Sequence, residues 1–200
     1  MNFSKYINNI SSLQFFQLFR FGILLLISII FTKTHLGITE IGIYETLLFI
    51  SGALSFFWLQ GLIQSFLPLY KSRNKADDTK SSDIFNAFIL TLFFSVAVFI
   101  FVLGFKNYII HFTSNEGIVP YLNLFAFYIL LSGPASLIEY IYLIRDKPLM
   151  IIRYGIISFT AQLIFVALPI ILGKSLEWSI YGLILISAIR IIWLFLLIHK

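Results

Sequence analysis

Residues 84–105 read Ile84-Phe85-Asn86-Ala87-Phe88-Ile89-Leu90-Thr91-Leu92-Phe93-Phe94, then Ser95-Val96-Ala97-Val98-Phe99-Ile100-Phe101-Val102-Leu103-Gly104-Phe105, without one charged side chain. A helix must place about 20 apolar residues in a row to cross a hydrocarbon core roughly 30 Å thick. This stretch does so. Its apolar residues are continuous rather than alternating, so it does not read as a strand of a membrane barrel. A single segment in lipid must satisfy its backbone internally, which leaves the α-helix.

Five other stretches pass the same test. They run from about Leu13 to Thr32, Ile41 to Tyr70, Val119 to Leu143, Leu149 to Leu172 and Trp178 to Ile198. The expected fold is therefore all-α: one bundle of six transmembrane helices over residues 1–200. Composition agrees. Of the 200 residues 60% are hydrophobic and 12% charged, whereas a soluble domain carries about 25% charged residues. A soluble enzyme and a disordered chain are excluded. The absence of cysteine excludes a disulfide-stapled module and thiolate metal sites. The formal charge of +5 raises nucleic acid as a partner. No basic block stands clear of the apolar runs, so none is expected. The run from Phe21 to Phe31 ends in Thr32-Lys33-Thr34-His35 with no small-residue cleavage site, and reads as a retained span rather than a signal peptide.

The connections alternate in charge. Lys71, Arg73, Lys75, Lys80, Arg145 and Lys147 lie in the even-numbered loops, with Lys5 and Lys200 at the chain ends. The odd-numbered loops hold Lys33, Lys106 and Lys174. Lys and Arg accumulate on the cytoplasmic side of short loops, which predicts cytoplasmic N- and C-termini. Ser81-Ser82-Asp83 reads as the N-cap of the third span.

Polar side chains within spans are costly and tend to face a bundle interior, a cavity or the interface. In the first span Gln14, Gln17 and Arg20 share a face. Arg20 either snorkels to headgroups or lines an inner wall. The second span carries Gln60 and Gln64 one turn apart, with Ser51, Gly52, Ser55 and Gly61 suited to close helix packing. In the fourth, Gly133 and Pro134 predict a kink. Tyr128, Ser132, Ala135, Glu139 and Tyr142 fall on one face of it. That face reads as a solvated wall, or as a packed kink with Glu139 paired to Arg145 or Arg153. Arg153 and Arg190 complete a set of three guanidiniums in the predicted inner half, a chemistry suited to phosphate oxygens.

Catalysis needs paired carboxylates, a nucleophile with a base, or a histidine cluster. His35, His111 and His199 fall in separate loops or at the terminus, and no span carries two acidic residues on one face. No enzymatic activity, cofactor or metal is expected.

Residues Gly37-Ile38-Thr39-Glu40-Ile41-Gly42-Ile43-Tyr44, followed by an apolar span with Gly61 and closing at Leu67-Pro68-Leu69-Tyr70 before a basic loop, carry a further signal. This pattern resembles the first outer loop and second span of the polysaccharide-repeat (O-antigen-type) flippases of the multidrug, oligosaccharidyl-lipid and polysaccharide exporter superfamily. The resemblance implies a transporter in a bacterial inner membrane that flips undecaprenyl-diphosphate-linked sugar units for surface polysaccharide synthesis. It implies alternating access around a cationic cavity, with Arg20 at a position where related proteins often carry a charge. The expected substrate-binding set is Arg20, Arg153, Arg190, Gln17, Gln60, Gln64 and Glu139. Its expected partners are the lipid-linked oligosaccharide, membrane lipids, and either a second half-transporter bundle or glycan polymerase and assembly proteins. The family has twelve to fourteen spans against six here, so the chain is taken as the N-terminal lobe of a larger transporter. Two alternatives stand beside this reading: a multidrug or organic-cation exporter of the same fold, and a non-transport membrane assembly subunit.

Overall fold

A computed structural model describes residues 8–72 and 79–199. Arg73, Lys75, Asp77 and Asp78 of the second loop, together with Lys5 and Lys200, lie outside the described residues. Helix α1 spans Asn9–Thr32 and α2 spans Ile38–Ser72. Next come α3 (Thr79–Gly104) and the short α4 (Lys106–Thr113), then a 3-10 turn at Glu116–Ile118. The chain continues as α5 (Val119–Ala135), α6 (Leu137–Ile144), α7 (Pro148–Ile171) and α8 (Leu176–Ile198). Among the described residues there is no strand. Six segments are long and apolar enough to cross a membrane. This is a multi-pass membrane protein of the all-α class.

Helix ends depart from the apolar boundaries because capping, not hydropathy, decides where a helix starts. Asn8 accepts a hydrogen bond from the Ser11 amide at 2.8 Å, and Ser11 Oγ accepts one from the Asn8 amide at 3.1 Å. This reciprocal cap starts α1 four residues before Leu13. The cap expected at Ser81–Asp83 is not where α3 begins, since the helix already starts at Thr79. Outside the bilayer a polar turn can continue a helix as readily as end it. The connection from Lys106 to Glu116, expected as a plain loop, contains α4, and none of that helix is buried. At the end of α7, Gly173 adopts φ 77°. Its amide reaches the Ile170 carbonyl at 2.9 Å, while that of Lys174 reaches Pro169 at 3.0 Å. This left-handed closure satisfies two terminal carbonyls, and glycine adopts it without strain.

The fourth span is two helices. Pro134 has no N–H for the Leu130 carbonyl, and its ring crowds the preceding turn. The chain turns at Ser136, whose amide bonds the carbonyls of Ser132 and Gly133, each at 3.2 Å, before α6 begins. The kink expected at Gly133 and Pro134 is thus a break one turn from Glu139. Gly133 is also needed for packing: a Cβ there would run into Ser95 Oγ of α3.

Neighbouring helices pack in the order α1, α7, α8, α5, α3, α2. The ring closes weakly, because α1 and α2 barely touch although only Lys33–Gly37 joins them. Close approach of α7 and α8 depends on Gly182, where a Cβ would strike the Phe165 carbonyl. Nearby, Ser179 Oγ donates to the Val166 carbonyl at 2.7 Å. The core holds Phe31, Tyr44, Phe125 and Ile129, all fully buried. The outer surface is apolar, with Leu18, Phe21, Phe93, Ile100, Ile192 and Leu196 exposed. In lipid that arrangement costs nothing, and in water it would aggregate.

Long-range hydrogen bonds place the loops. Asn9 Nδ2 donates to Asp146 Oδ1 at 2.7 Å, and Arg145 Nη2 donates to the Leu197 carbonyl at 3.0 Å. The start of α1, the α6–α7 turn and the end of α8 therefore share one end of the bundle. Arg145 and Lys147 sit at this end. At the other end Gly117 lies against Ile43 near the start of α2.

Candidate functional site

Behind the weak α1–α2 seam lies a cavity of about 190 Å³. From α1 come Phe16, Arg20 and Leu24, and from α2 come Leu48, Ser51, Gly52 and Ser55. The broken fourth span contributes Tyr128, Ser132 and Ser136 ahead of Glu139. Its back wall is Tyr154, Phe159 and Gln162 of α7 with Arg190 of α8. Arg190 lies eight residues from the end of α8, a depth of about 12 Å along the helix.

Arg190 is held in place by neutral groups. Its Nε donates to Ser158 Oγ at 2.6 Å and its Nη2 to Gln162 Oε1 at 2.7 Å. The guanidinium also lies 5.2 Å from the centre of the Phe159 ring, a cation–π contact. Ser158 and Gln162 are buried one turn apart on α7, so both present oxygens to one point. None of these partners carries a negative charge. The guanidinium lies at the cavity wall, where a low dielectric strengthens its field.

Glu139 is 5% exposed and lines the same cavity. The cations whose charge reaches it are Arg20 and Arg190. Pairing with Arg145 or Arg153 does not occur: Arg145 is committed to Leu197, and Arg153 is exposed on α7. Among the described residues no ion pair forms with Glu139.

Of the residues singled out from the sequence, Arg20, Arg190 and Glu139 come together, with the break at Gly133 and Pro134 beside them. Four do not join them. Arg153 precedes the cavity residue Tyr154 by one position, so it points about 100° away and is exposed. Gln17 lines a neighbouring groove with Gln14, Leu67, Leu143 and Ile144. Gln60 and Gln64 are exposed on α2, beyond Leu59, the last α2 residue to line the cavity. The three-arginine cluster is a pair.

The small residues of α2 also take a different role from the one expected. Ser51, Gly52 and Ser55 line the cavity rather than seat a neighbouring helix, and a Cβ on Gly52 would meet nothing within 4 Å. Tyr44 of the Gly42-x-Tyr44 pattern is not at the cavity. It is fully buried and meets Phe31 edge-on at 4.9 Å between ring centres. Ser158 escaped the sequence reading. The spacing of Ser158 and Gln162, four residues apart in an apolar span, was the signal for it.

The chain matches no family model, no curated protein and no solved structure. What the site does must therefore be argued from its chemistry. Two guanidiniums and one carboxylate leave the cavity with a formal excess of one positive charge. Ser51, Ser55, Ser132 and Ser136 line it with hydroxyl oxygens, those of Ser132 and Ser136 donating to the Ile129 and Gly133 carbonyls at 3.3 and 2.6 Å. That set suits an anion.

Proposed function

We propose that this protein is a transport bundle that binds an anionic, sugar-bearing lipid headgroup and passes it across a membrane. The observation that carries the reading is Arg190 at the cavity wall, fixed by Ser158 and Gln162, neither of which carries a charge. A cation oriented by neutral acceptors is free to bind an anion, and the planar guanidinium matches phosphate oxygens. Arg20 supplies a second cation from α1, and the seam beside it lets an acyl or prenyl tail stay in lipid. Taken with the resemblance of Gly37 to Tyr70, the reading becomes flipping of undecaprenyl-diphosphate-linked oligosaccharides at a bacterial inner membrane for surface polysaccharide synthesis. Cytoplasmic chain termini, action beside a second bundle or with glycan assembly proteins, and the absence of catalysis belong to the same proposal.

The experiment is export of the surface glycan in cells that rely on this protein. The double variant Arg20→Ala, Arg190→Ala should abolish glycan display at unchanged protein level. Normal display would remove the reading. An organic-cation exporter is less well supported, since it would have to bind a cation against two guanidiniums with Glu139 alone. A purely structural subunit gives no reason for a cavity lined by charge.

A further inference from the structure

Among the described residues, Glu139 is the one acidic side chain at the proposed anion site. The groups that face it are Arg20 from α1, Arg190 from α8 and Tyr154 from α7, with Tyr140 beside it on its own helix, and Tyr128 from α5 lines the same cavity. The α2 wall contributes hydroxyls and no titratable group. Without ligand, one carboxylate offsets one of two guanidiniums. A phosphate diester or diphosphate diester brings one or two fixed negative charges to those same guanidiniums. An ionised Glu139 then becomes a like charge in the same cavity, in a region where water screens poorly. Protonating the carboxyl removes that repulsion and turns an acceptor into a hydrogen-bond donor toward the ligand's oxygens. The break at Ser136 serves this arrangement, since it starts α6 afresh and sets Glu139 in its first turn, facing the cavity.

We propose that Glu139 is a proton site linked to the anion site: binding of an anionic headgroup at Arg20 and Arg190 takes up one proton on Glu139, and release of the headgroup returns it. The proposal rests on the anion-binding reading above. Balance is simple: the proton comes from bulk water, no bond within the ligand changes, and the cavity gains one proton per ligand bound. A carrier built this way moves a proton in the same direction as its anion.

The test uses the full chain in lipid nanodiscs and a short-chain diphosphate diester, farnesyl diphospho-N-acetylglucosamine. Both of its charges are fixed, so any proton taken up belongs to the protein. Calorimetry in two buffers of different ionisation enthalpy reads proton uptake directly. Net proton uptake on binding is expected, with affinity falling as pH rises, by at most about ten-fold per pH unit where uptake reaches one proton per ligand. Glu139→Gln should abolish the uptake and flatten the pH profile while binding persists. Binding by the unaltered protein with no proton uptake and a flat profile would overturn the linkage and leave the anion site standing. No binding at any pH would overturn both. Equal uptake by Glu139→Gln would assign the proton elsewhere and overturn the proposal. Because the uptake is first read on the unaltered protein, the result does not hang on that variant folding.

Discussion

Arg190 of α8 reaches Gln162 of α7 at 2.7 Å and Ser158 at 2.6 Å, so one guanidinium both locks two helices together and faces a cavity. The two tasks can be separated by substitution. Gln162→Leu removes an acceptor from a charged donor and should cost about 1–3 kcal/mol of stability. Adding Arg190→Met should recover part of that loss, because it removes the charged donor that Gln162→Leu leaves without its acceptor. Thermal unfolding of the three variants in detergent checks this. Additive losses in the double variant would show that the pair is not coupled.

Helix α8 should be sensitive to its glycine in a way that α1 is not. Gly182→Ala drives a methyl group into the Phe165 carbonyl, and α8 must move away. The expected loss is about 1–3 kcal/mol. Gly22→Ala meets nothing within 4 Å and should be neutral, or stabilising by up to about 1 kcal/mol through lower chain entropy. Comparing thermal midpoints of the two variants decides the matter, and equal midpoints would contradict the close approach of α7 and α8.

The natural absence of cysteine makes the cavity open to chemical mapping. Ser132→Cys and Ser136→Cys lie on its wall, whereas Ser187 is fully buried. A small polar thiol reagent should modify the first two and leave Ser187→Cys unreacted until the protein is denatured. Failure of both wall positions to react would mean that water does not reach the cavity, and would favour a packed module.

Loop placement yields a test of orientation. The start of α1, the α6–α7 turn and the end of α8 share one end, and the positive-inside rule predicts that this end faces the cytoplasm. An impermeant thiol reagent on intact cells should label Asn115→Cys and Lys174→Cys but not Asp146→Cys. The reverse pattern would invert the protein in the membrane, and with it the side from which ligand enters.

Much of this protein was legible without coordinates. Six apolar runs required six spanning helices, because lipid offers the backbone no other partner. Pro134 required an interruption, because it lacks the N–H that its position demands. Burial cost in lipid marked Arg20, Glu139 and Arg190 as residues needing a reason to be there. Those conclusions follow from local chemistry alone, and the fold agrees with each. What the chain could not reveal was direction around each helix and distance between helices. Arg153 and Tyr154 are neighbours in sequence and face different surroundings, since one residue is a 100° turn. Gln17 and Arg20 share a helix face yet enter different spaces, Gln17 beside Leu67, Leu143 and Ile144 and Arg20 beside Ser51 and Glu139. The small residues of α2 suit close packing by composition, and they form a cavity wall because α1 packs on α7 instead. Hydropathy depends on each residue's own transfer from water to lipid, so sequence determines it. A cavity depends on which helices fail to touch, and only the packing of the whole bundle decides that.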